Sequence, residues 1–214
     1  MRRLFWPLFF SILGTVVLVS LGTWQLQRLT WKEGVIAEIN ARIASDPVAL
    51  PEPIDLERDK YLPVAVSGTI TEDEIHLLAS TRDAGAVYRL VSAFETEGGR
   101  RIMIDRGWIK TEDKDAARQA HDVEVVGNLH WPDERDSFTP ANDVDGNIWF
   151  ARDVEQMAEV LNTEPVLLIV REDSDKGAIA TPLPVDTAAL PNNHLEYVLT
   201  WYGLAIVWVA MTLY

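Results

Sequence analysis

Carboxylates are abundant in this chain, but among its four histidines one stands apart. The stretch NNHLEYVLTW (192–201) sets His194 behind two asparagines, at the head of a run that stays apolar to Tyr214. An imidazole can ligate a metal, carry a proton or only hydrogen-bond. On a helix His194, Tyr197, Trp201 and Trp208 fall at offsets 0, 3, 7 and 14, one stripe of rings. Toward the other end, TWQLQRLTWK (23–32) puts Trp24 and Trp31 seven apart on nearly one face, with Arg28 and Lys32 four apart on another. By residue type alone this is an aromatic belt with snorkelling cations, and His194 is an interfacial histidine without a ligand.

Other chemistry is excluded or weak. The chain has no cysteine, so it has no disulfide, no thiolate metal site and no thiol nucleophile. His76, His121 and His130 are scattered beside strands and turns, where hydrogen-bonded or surface roles are expected. No HExxH, GxSxG or phosphate-cradling glycine loop occurs. NDVDGNIW (142–149) has the acids of a calcium loop but its glycine at the fourth position, so a turn with Gly146 at positive φ is expected. Nothing between the apolar ends marks an enzyme.

The elements that must position His194 are two long apolar segments. Residues 194–214 carry only Glu196 as a charge and would span about 30 Å as a helix, the thickness of a bilayer core. Asn193 and Glu196 have the spacing of a capping box, which predicts the helix start. Residues 4–27 are free of charge and predict the first span; the stretch is longer than a secretory h-region, which favours a retained anchor over a cleaved signal. Gly14 and Gly22 on the first helix and Gly203 on the second are expected sites of close approach. Antiparallel pairing would bring His194 to the depth of Gln25 to Lys32. Basic residues flank both sides of the first span, so charge does not decide orientation.

Between the spans lies one domain, residues 28–193. The chain's net charge is −14; with Arg2 and Arg3 before this stretch and Glu196 after it, the domain carries −15 and should repel nucleic acid. Val35, Ile36, Ile39 and Ile43 prolong the first helix as far as the Pro-rich DPVALPEP. Strands are predicted at 61–70, 74–80, 87–95, 100–109, 122–131 and 165–172, with short helices at 111–120 and 153–162. The fold class is therefore an α+β membrane protein: two transmembrane helices bracketing a mostly antiparallel β domain, barrel or sandwich, with a few short helices. Within IDRGWI (104–109), Ile104, Arg106 and Trp108 should share one strand face, Gly107 should admit another backbone, and Arg106 should satisfy a buried carboxylate.

GTWQLQRLTWK (22–32), IDRGWI (104–109), FTPAND (138–143) followed by Trp149-Phe150, and NNHLEYVLTWYGLA (192–205) together resemble the Surfeit locus protein 1 family over nearly the whole chain. Asp105 departs from the asparagine common in that family. The resemblance implies a non-enzymatic assembly factor for cytochrome c oxidase that binds haem a. It implies the catalytic subunit of the oxidase as partner, and the haem a synthesis machinery as a possible second one. It places the chain in a bacterial inner membrane with the domain in the periplasm, or a mitochondrial inner membrane with the domain in the intermembrane space. It also makes His194 the proposed axial ligand of the haem iron; given that ligand, the residue pattern would set the stripe with Tyr197 and Trp201 beside the macrocycle, and Arg28 or Lys32 toward its propionates. The rival reading is a membrane-anchored periplasmic scaffold or sensor with no cofactor.

Overall fold

The computed structural model describes residues 2–82, 84–175, 177–188 and 190–214, with backbone alone at 2–4. Contacts divide the chain into two compact units, Met1–Asn40 with Thr187–Tyr214, and Ala41–Asp186.

The first unit is a pair of helices. Helix α1 (Arg2–Ile43) runs without a break from the apolar stretch through the charged one, as the apolar spacing of residues 35–43 predicts. At 1.5 Å per residue its 42 residues reach about 63 Å, twice a bilayer core. It ends with Arg42 in the last turn, favourable at the negative end of the helix dipole, and Pro47 follows. The second helix of the pair (His194–Leu213) has 20 residues, and both are long and apolar enough to cross a membrane.

Small residues set the packing of the pair. A side chain at Gly14 would run into the Trp208 ring, and one at Gly22 into the Tyr202 ring. Gly203 is a correction: it faces open space, on the side of its helix turned away from α1. Polar groups then bridge the seam. Ser11 Oγ donates to Thr212 Oγ1 (2.8 Å), Trp208 Nε1 donates to the Ser11 carbonyl (3.0 Å), and Thr23 Oγ1 lies 3.1 Å from the Tyr202 hydroxyl. As residue numbers rise on one helix they fall on the other, so the pair is antiparallel.

The second unit is a closed five-stranded barrel in the order β1-β2-β3-β5-β4. Its strands are β1 (Pro63–Thr81), β2 (Gly85–Thr96), β3 (Arg101–Lys110), β4 (His121–Leu129) and β5 (Leu167–Asp173). All neighbours pair antiparallel except β3 with β5. Two expected strands, 61–70 and 74–80, prove to be one: the TED between them is an irregularity in a 19-residue β1, which pairs with β4 on its first half and β2 along most of its length. A bulge lets one strand bend far enough to serve both sides of a barrel. The helix expected at 111–120 shrinks to a 3-10 turn, Thr111–Asp113. Helix α2 (Val154–Leu161) forms as expected, with Asp153 Oδ1 accepting from Gln156 N at 3.1 Å; the His194–Leu213 helix is accordingly α3.

Within β3 and β5 the stretches 102–104 and 167–170 are unbroken apolar runs because both faces are covered there. Ile102, Ile104, Leu168 and Val170 point to one cluster with Phe94, Val123 and Val125; Met103, Leu167 and Ile169 point to the other, beneath Trp149 and the buried face of α2. The turn after FTPAND holds its positive φ at Asn147 (48°), not at Gly146. Asn147 is then able to cross-link β1, donating to the Glu74 carbonyl (3.0 Å) and accepting from His76 N (3.1 Å).

Candidate functional site

His194 opens α3 and faces α1. Its Nδ1 lies 2.7 Å from Oε1 of Gln25, an amide that is itself buried in the seam. With the amide oxygen as acceptor the proton sits on Nδ1, and the lone pair belongs to Nε2, which has no hydrogen-bond partner among the described residues. A hydrogen bond at one ring nitrogen that leaves the other free is the arrangement in which an imidazole binds a metal. The helix start owes nothing to a capping box: Asn193 occupies the cap position, but its side chain accepts no N–H.

The other expected residues separate into two groups. Trp201 is half-buried at the edge of the seam, and Tyr197 is 52% exposed on the same stripe. On α1 Lys32 stands seven residues beyond Gln25, hence on the same face, and is half-buried. Arg28 turns the other way and lies over the Trp31 ring at 4.1 Å, in a cation–π contact. Lys32 rather than Arg28 therefore shares the face of His194. Sequence reasoning missed Gln25 as the residue that orients the histidine. The available signal was an amide inside a charge-free span, a position where a polar side chain needs a partner.

In the barrel the same motif that carries the resemblance conceals a charge network. Asp105 is fully buried and accepts from Arg89 Nε, from Arg152 Nη1 (3.4 Å) and from the Gly107 N–H (3.1 Å). Arg89 donates onward to the Leu183 carbonyl (2.9 Å). Arg152 grips Glu134 through Nε (3.0 and 3.1 Å), Nη2 and its own backbone N–H (3.0 Å). Burial works against the Glu134 carboxylate, but the hydrogen bonds and charge of Arg152 outweigh it and hold the group below the usual carboxylate range. The expected role of Arg106 is thus corrected: Asp105 is the buried carboxylate, and other arginines satisfy it. Arg106 itself comes only within 3.9 Å of Asp175, and burial lowers its pKa.

The expected face of IDRGWI is corrected as well. Arg89 pairs with Trp108 and Val91 with Asp105, so β3 carries one extra residue there and the alternation reverses. Trp108 falls on the face of Asp105, opposite Ile104. Gly107 takes up the distortion at φ 100°, and with no Cβ it admits the backbone of Thr181, which exchanges hydrogen bonds of 2.9 and 2.8 Å with Trp108. The three remaining histidines have structural partners or neighbours. His76 Nε2 meets Glu74 at 2.8 Å, His121 Nε2 meets Asp175 at 3.1 Å, and His130 stacks on Tyr61 with centroids 5.1 Å apart. Among the described residues no cluster of three or more acidic or histidine side chains is placed to hold a bare metal ion.

A profile of the SURF1 family matches residues 12–206. Surfeit locus protein 1 of Xenopus tropicalis is 31% identical over 219 residues, covering 90% of this chain and 70% of that protein. The Homo sapiens protein of the same name is 30% identical over 218 residues, covering 91% and 72%. A SURF1-like protein of Rickettsia felis is 33% identical over 203 residues, covering 89% and 88%. The match takes in both helices and the barrel between them, and the chain belongs to the SURF1 family.

Proposed function

We propose that this chain is a non-enzymatic assembly factor for cytochrome c oxidase, and that its helix pair binds haem a for supply to the catalytic subunit. The observation that carries the cofactor reading is the His194–Gln25 hydrogen bond, which engages Nδ1 and leaves Nε2 without a hydrogen-bond partner among the described residues. When bound, haem a would supply an iron that the His194 imidazole would ligate. The protein's part is to hold and release it. Gln25 fixes the tautomer of His194; Trp201 and Tyr197 offer ring faces on the same stripe; Lys32 is the nearer cation in register for a propionate, with Arg28 as a second. The two helices cross the inner membrane, both termini lie on one side, and the barrel stands in the periplasm or intermembrane space. The barrel's negative charge gives it no affinity for nucleic acid.

Deleting the gene should lower the haem a content of the oxidase more than it lowers synthesis of the oxidase subunits. Full haem occupancy in the deletion strain would leave a scaffold without a cofactor. A reporter fused after Pro53 should be active only outside the cytoplasm; cytoplasmic activity would overturn the topology.

A further inference from the structure

The polar residues of the FTPAND motif are tied into the structure, and its one aromatic side chain is not. Asn142 accepts from Phe150 N at 2.9 Å and donates to Gln156 at 2.9 Å, and Trp149 is fully buried. Phe138, by contrast, is 91% exposed. The loop beneath it is nevertheless tightly built. Asp136 Oδ1 accepts from Phe138 N (2.9 Å), Thr139 N (2.8 Å) and Thr139 Oγ1 (2.8 Å). Two residues earlier, Glu134 is held by Arg152, and Arg152 by the buried Asp105. A chain of charged hydrogen bonds thus runs from the barrel interior to the base of a loop that holds a phenyl ring in solvent. Beside this base lies a cleft of about 300 Å³ lined by Leu56, Trp131, Pro132 and Val154.

An aromatic side chain on a preorganised loop has little entropy left to lose on contact, which is the property of an interface anchor. Charge selects what it can meet. Arg152 neutralises Glu134, and the rest of residues 132–146 carry Asp133, Asp136, Asp143 and Asp145 against Arg135, an excess of negative charge. A second copy of this acidic chain, an anionic lipid surface and a nucleic acid are all repelled. We propose that Phe138 is the anchor of a docking surface for a partner protein that presents an apolar socket edged by lysine or arginine. The docking surface is independent of whether the helix pair carries haem.

The test is site-specific photocrosslinking in cells, with p-benzoylphenylalanine in place of Phe138 in the full chain. The expected result is one discrete adduct with another protein, mapped by mass spectrometry to an apolar segment flanked by Lys or Arg. Its yield should fall about tenfold with Asp133→Lys, the effect of a like charge at the rim. The same probe in place of Val160, exposed on α2, should give no such adduct. Adducts only with lipid or a second copy, a mapped segment lacking basic residues, or a yield no higher than at Val160 would overturn the proposal. Phe138→Ala should leave the thermal midpoint unchanged; a marked loss of stability would show that the ring packs within the chain, and would overturn it equally.

Discussion

The helix pair and the barrel are organised in opposite senses. In the pair, Phe5, Trp6, Ile12 and Val16 face outward while Ser11, Gln25, Tyr202 and His194 make contacts across the seam. In the barrel, the apolar side chains fill the interior, and the carboxylate fully buried there, Asp105, is neutralised by Arg89 and Arg152. The difference follows from the solvent proposed for each. Lipid gives apolar side chains no reason to hide but leaves a polar group only other polar groups to bond, whereas water drives apolar area inward. Polar contacts therefore join the two helices of the pair, whereas in the barrel they satisfy the buried Asp105.

The largest predicted effect breaks the barrel side of this comparison. Asp105→Ala leaves Arg89 and Arg152 buried without their acceptor and should cost about 3–5 kcal/mol of unfolding free energy, read as a lowered midpoint in thermal unfolding of the full chain. Asp105→Asn keeps an oxygen for the Gly107 N–H and should cost clearly less. In the pair, Gly22→Leu drives a side chain into the Tyr202 ring, an overpacking of about 1–3 kcal/mol. It should abolish haem binding while leaving the barrel's unfolding midpoint where it was; loss of both would deny that the two units are separately stabilised.

How far these regions were legible in sequence differs for the same physical reason. The apolar helices and the strands of β2 to β5 follow from local periodicity, and α2 from its Asp153 cap. The single long β1 was not legible, because TED at 71–73 looks like a turn until pairing on both flanks carries the strand through it. The Asp105 network was hidden because its members lie 16 and 47 residues away and meet only in the closed barrel. Gly203 misled in the opposite direction: on a seam helix a small residue is evidence of close approach only if it faces the partner, and the sequence does not give the rotation. For the proposed helix-pair site, His194 was singled out from its position at the head of the apolar run, and Gln25, its hydrogen-bond partner, was overlooked.

A smaller effect concerns acidity. Burial, with the charges of Arg152 and Lys60 adding to it, holds the His130 imidazole down at about 4. The unfolded residue titrates near 6.5, so between these values the unfolded chain takes up a proton that the fold refuses. Stability should fall as pH drops from about 6.5 to about 4, with no further loss from this group below. His130→Phe, which keeps a ring on Tyr61, should flatten the barrel's melting midpoint over that window. The loss from Glu134 and Glu164, both held low by arginine partners, should appear at lower pH and survive the substitution. The smallest effect is Trp208→Phe, which deletes one hydrogen bond to the Ser11 carbonyl and should weaken the pair by about 0.6 kcal/mol, a typical interhelical bond in a membrane.

The proposed haem site is tested most directly by the Soret spectrum of the purified full chain loaded with haem a, compared among wild type, His194→Ala and Gln25→Leu. His194→Ala should abolish the band or shift it strongly while expression and membrane insertion persist. Gln25→Leu should keep the band position but weaken haem affinity about 10- to 100-fold, as loss of the group that orients a metal-ligating histidine does. A His194→Ala protein that binds haem a with unaltered spectrum and affinity would contradict the assignment.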